Sequence, residues 1–152
     1  MDSLDKYFKK YVWDDDRTPY LVPVAHLTRR QASYELHFYA LLVGVLCGML
    51  SLAALSNKLP HGGAAIVSIY AFTVTCAAIL LGTTRHPWAA LWCATPPVAG
   101  LAYFAVYGFH PNLGVLDKVL LVCAMLAWLV YCRRLIAVAR AYSVLPQAAS
   151  GD

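Results

Sequence analysis

Charge is scarce in this chain. Asp, Glu, Lys and Arg make up 13% of its 152 residues, against about 25% in an average soluble domain. The scarcity is also uneven: residues 36–57, 59–84, 86–116 and 119–132 contain none of the four. Stretches of that kind suit burial or lipid, because a water-facing surface needs polar groups. Cysteine pairing is missing too. Cys47, Cys76, Cys93, Cys123 and Cys132 lie within or at the end of apolar runs and form no CxxC. No disulfide framework is expected, and the cysteines read as small, soft packing residues.

The sequence also lacks a recognisable catalytic set. It has no HxxxH or HExxH, no phosphate loop, no nucleophile elbow and no zinc-ligand spacing. The expectation is a protein that is not an enzyme, with no cofactor and no metal. His37 and His86 are the one histidine pair worth testing as ligands. Ionisable residues inside a membrane usually mark function, and the middle of every apolar run is without them. Glu35 and His37 come nearest, both at the start of the first run, and Glu35 has arginines nearby to pair with. A small multidrug exporter of similar size and span count would need a carboxylate deep in its first helix. No internal repeat of the inverted-transporter type is visible.

What is abundant is apolar sequence: 61% of the residues, with a mean hydropathy of +0.59. A spanning helix needs ~20 apolar residues at about 1.5 Å each. Spans are therefore expected at about 36–56, 62–82, 88–109 and 116–132. The last is the shortest, with 14 uncharged residues between Lys118 and Arg133, and it crosses if those two side chains snorkel. The N-terminus lacks the pattern of a signal peptide, so the first span is itself the expected insertion signal. Four spans put both termini on one side. Arg29, Arg30, Arg85, Arg133, Arg134 and Arg140 fall beside that side, whereas the opposite loops hold Lys58 and Lys118. The positive-inside rule then predicts cytoplasmic termini in a cytoplasmic (inner) membrane. That topology accounts for the net charge of +4 without any nucleic-acid partner.

The predicted fold is an all-α integral membrane protein with three parts. Residues 1–27 form a cytoplasmic or interfacial arm, 28–142 a four-helix transmembrane domain, and 143–152 a disordered tail. Within the arm, Leu4, Tyr7, Phe8, Tyr11 and Val12 recur at helical spacing opposite Lys6, Lys9 and Lys10, which describes a short amphipathic helix. Asp14, Asp15 and Asp16 follow, and then a strip that Pro19 and Pro23 hold extended. Its apolar residues Tyr20, Leu21, Val22 and Val24 need a surface, either on their own helices or on a partner protein. Thr28 and Gln31 have capping-box spacing, so the first helix should begin near Arg29, before the lipid.

Two features mark the spans themselves. Ala40, Gly44 and Gly48 recur every four residues, a stripe that lets helix backbones approach closely. Thr95, Pro96 and Pro97 interrupt the third span, where two missing backbone donors should kink it and free carbonyls. The favoured function is a non-catalytic accessory subunit or assembly factor of a larger membrane complex, with a protein partner or a second copy of itself. The alternative is a small oligomeric transporter or channel built on the kink.

Overall fold

The computed structural model describes residues 22–56 and 65–147. After a 3-10 turn at Val24–His26 come five helices: α1 (Arg29–Leu55), α2 (Ala65–Thr84), α3 (Pro87–Cys93), α4 (Pro96–Tyr107) and α5 (Val115–Ala141). With α3 and α4 taken as one interrupted segment, four helical segments are long and apolar enough to cross a membrane. The expected amphipathic helix, and Tyr20 and Leu21, lie outside the described residues.

Local chemistry sets the helix ends. Thr28 Oγ1 accepts from the Gln31 backbone N–H at 3.3 Å, and Gln31 Oε1 accepts from the Thr28 N–H at 2.9 Å. This reciprocal box fixes the start of α1. The link from α2 to α3 is Arg85 and His86. Arg85 takes a left-handed φ of 54°, which lets the chain reverse within two residues. His86 Nδ1 then accepts from the Trp88 N–H at 3.3 Å, and Pro87 supplies the preset first turn of α3. Gly108, at φ 76°, ends α4. At the start of α5, Asp117 Oδ2 accepts from the Gly114 N–H at 3.1 Å.

The helix that carries the expected span 116–132 continues past it: α5 runs unbroken for 27 residues, about 40 Å at helical rise. Arg133 and Arg134 lie within a regular helix. The third span is interrupted between Cys93 and Pro96, beside Pro96 and Pro97. The carboxy-terminal stretch departs from the expectation of disorder. Over 143–147 the chain turns back onto the bundle, with Leu145 buried and the Pro146 carbonyl accepting from the Arg29 N–H at 2.8 Å. The cause is local: α1 begins with unpaired backbone donors, and this carbonyl satisfies one of them.

The α1–α2 pair is the best-packed part. Its faces carry small side chains: a Cβ added at Gly44 would sit 3.5 Å from Ala78 Cβ, and one at Gly82 would sit 3.6 Å from Ala40 Cβ. Near the other end of the pair, Ser51 and Ser68 each donate a hydroxyl to the other's backbone carbonyl, at 3.1 and 3.0 Å. Packing is uneven along the bundle. Leu27, Leu36, Leu81, Leu135 and Val138 are all buried near the arginine-bearing end. In contrast, no residue in 98–131 is buried.

Candidate functional site

Three polar assemblies stand at or near the arginine-bearing end. The innermost is built on Glu35, which is completely buried. A buried carboxylate needs a charged partner and satisfied lone pairs. Arg134 supplies both: its Nε donates to Oε1 at 2.7 Å and its Nη2 to Oε2 at 3.0 Å. The Tyr131 hydroxyl adds a bond to Oε1 at 3.2 Å. The remaining arm of the fork, Nη1, donates to the Val22 carbonyl at 2.7 Å. Arg134 therefore ties α5, α1 and the segment before α1 to one point. Val22 and Val24 are half-buried against the core, so the described end of the apolar strip lies on the protein's own helices.

A second hub centres on the Tyr39 hydroxyl, one turn deeper. It donates to the Cys93 carbonyl at 2.8 Å, accepts from Trp128 Nε1 at 3.1 Å and lies 3.2 Å from Cys132 Sγ. Its position accounts for the break in the third segment. Pro97 has no N–H, so the Cys93 carbonyl, four residues back, loses its helical donor, and Tyr39 replaces it. Pro96 does the same to the Trp92 carbonyl, and Thr95 Oγ1 donates there at 2.8 Å. Thr95 then accepts from the Tyr70 hydroxyl at 2.7 Å. Thr95, Pro96 and Pro97 are thus brought against Tyr39 and Tyr70, and both freed carbonyls already have donors.

The third assembly is an open basin of about 610 Å³ at the arginine end. Arg29, Arg30, Ser33, His37, Arg85 and Tyr142 line it. Arg85 Nη2 donates to Ser33 Oγ at 3.0 Å and reaches His37 Nδ1 at 3.2 Å. A guanidinium can only donate, so Nδ1 is the acceptor in that contact and the ring proton is assigned to Nε2. Arg29 Nη2 donates to the Ser143 carbonyl at 2.8 Å. Both guanidinium groups stand over the Tyr142 ring, 5.9 and 6.0 Å from its centre. Neither meets a carboxylate among the described residues, and Arg29 Nε and Arg85 Nε are buried without a hydrogen-bond partner.

From the basin an apolar groove of about 310 Å³ runs along α1 and α2 between Ala40, Gly44, Thr75 and Gly82. His37 belongs to both cavities. Of the small-residue stripe, Ala40 is buried against α2, Gly44 borders the groove, and Gly48 faces Thr75, whose side chain would lie 3.9 Å from an added Cβ.

The basin was not legible as a site, although its arginines were. Arg29, Arg30 and Arg85 read only as a charge bias for topology. Their convergence needs the two-residue α2–α3 link and the returning 143–147 segment, which no periodicity announces. His37 and His86 do not form a ligand pair: His37 contacts Arg85, and His86 caps α3. Among the described residues, no three His, Cys, Asp or Glu side chains come together as a metal site. No protein-family model, curated protein or solved structure matches the chain.

Proposed function

We propose that the protein is a non-catalytic subunit of a membrane complex, inserted with its arginine end at the cytoplasmic face of the inner membrane and both termini on that side. On this reading it binds a transmembrane helix of a partner protein along α5. One observation carries the reading: packing within the chain leaves α5 almost uncovered. Of the apolar stretch of α1, 33% is buried, and 28% in each of the next two segments, but only 6% in α5.

In lipid the hydrophobic effect does not drive helices together, so close packing and polar contacts must do so. Here α5 is tied to the bundle at its arginine end by Glu35, Tyr39 and Leu135. Beyond Tyr131 it offers Leu120, Leu126 and Val130 outward. A helix anchored at its arginine end, packed on α4 through Met125 against Gly100 and exposed on its other side, is suited to receive another helix. Orientation rests on the convergence of Arg29, Arg85 and Arg134 at one end of the bundle, combined with the positive-inside rule. The transport alternative draws less support, because hydroxyl groups already fill the carbonyl positions that the prolines vacate.

Photo-crosslinking tests the reading. A photoreactive residue at Leu126 or Val130, in cells, is expected to give one discrete protein adduct, and the same residue at Ile69 on α2 none. An adduct only with a second copy of the chain would replace the partner by a homo-oligomer. Lipid adducts alone at all three positions would defeat the proposal.

A further inference from the structure

We infer that the basin and groove together bind one anionic glycerophospholipid, its phosphate among Arg29, Arg30 and Arg85 and an acyl chain along Gly44 and Gly82. The inference rests on insertion of the four segments in a bilayer, and it is independent of any partner helix on α5.

The basin has the chemistry of a phosphate site. Arg29 and Arg85 stand in the basin wall without a carboxylate counterion among the described residues. A phosphate is a fitting acceptor, since its oxygens take several donors from a guanidinium fork at once. The Tyr142 ring helps to hold both guanidinium groups over the same space.

The groove decides what carries the phosphate. A free anion needs only the basin, but His37 lines both the basin and an apolar groove walled by Ala40, Gly44, Ala78 and Gly82. From His37 to Val45 the groove follows α1 for about 12 Å at helical rise. Its floor is made of small side chains, which gives it depth, and its lining beyond His37 is apolar apart from Thr75. A charged mouth continuous with an apolar slot of this kind matches a headgroup joined to a hydrocarbon chain. Basic pockets between helices at the cytoplasmic face are general headgroup sites.

The test uses the full chain in a neutral detergent and follows its thermal unfolding during titration. Phosphatidylglycerol should raise the unfolding temperature in a saturable way. Phosphatidylcholine with the same acyl chains should not, nor should inorganic phosphate or glycerol phosphate at equal concentration. Arg85→Gln should weaken the apparent affinity roughly tenfold to a hundredfold, as for loss of a hydrogen bond to a charged group. Arg30→Gln, at the exposed rim, serves if the first variant does not fold. Gly44→Leu should fill the groove and abolish the saturable shift; its side chain also meets Ala78, so the lipid-free unfolding temperature should fall as for Gly48→Leu, and a retained cooperative transition is the control. Thr75→Leu is the second groove-filling variant if that control fails. Equal shifts with phosphatidylcholine would overturn the inference, as would equal shifts with phosphate alone. Undiminished binding by a folded arginine or groove variant would also overturn it.

Discussion

Arg134→Met is the sharpest perturbation of this molecule. It removes a side chain that donates two hydrogen bonds to Glu35 and one to the Val22 carbonyl, among its contacts. Glu35 is wholly buried, so its carboxylate would keep only the Tyr131 hydroxyl. Breaking a buried ion pair from one side typically costs about 3–5 kcal/mol. Arg134 is 20% exposed at its side chain, and water reaching the vacated space offsets part of the loss, so about 3 kcal/mol is expected. Equilibrium unfolding in mixed micelles measures it. The double variant Glu35→Leu/Arg134→Met removes both charges, and it should recover most of that loss, because a well-packed apolar pair is often as stable as a buried ion pair. It should not restore the tie to Val22, so limited proteolysis before Thr28 should be faster in both variants than in the parent. A single variant within about 0.5 kcal/mol of the parent, the usual range for surface substitutions, would refute the reasoning. So would a double variant no more stable than Arg134→Met.

Tyr39→Phe should destabilise the protein by about 1–3 kcal/mol in the same unfolding assay, since it strands the Cys93 carbonyl and the Trp128 N–H; a change below the assay error would mean that water replaces the hydroxyl. Gly48→Leu should cost about 1–3 kcal/mol by driving a side chain into Thr75 across the α1–α2 contact, and the thermal transition in detergent checks it. Reporter fusions after Asn112 should behave as external and fusions after Arg85 as internal; the reverse pattern would invert the proposed orientation.

Much of the architecture could be read from composition, because apolar runs bounded by charges are a one-dimensional signal. Arg29 as the start of α1 followed from the spacing of Thr28 and Gln31 alone. The interruption at Pro96 and Pro97 was equally local, since proline removes a donor wherever it stands. What was not legible depends on pairs distant in the chain. Glu35 was visible as a lone carboxylate with arginines about, but nothing local chose Arg134, 99 residues away, over Arg29, Arg30 or Arg133. Arg133 and Arg134 read as the end of the lipid-crossing stretch, and α5 continues through them as regular helix to Ala141. They interrupt hydropathy without interrupting helix propensity, and arginine is a good helix former. Ser143–Gln147 has the composition of a loose tail, and its order comes from Leu145 and the Pro146 carbonyl meeting α1.

The Glu35–Arg134 tie also has a consequence in time. During synthesis α1 is made first, and its carboxylate must wait for an arginine 99 positions later. The side chain of Arg29 waits longer still, for a carbonyl 114 positions downstream. Until α5 arrives, the Glu35 carboxylate of a nascent chain is without the arginine that partners it in the finished fold. A chain stopped short of Arg134 keeps the defect permanently. The ion pair therefore forms only once the chain has been made as far as Arg134.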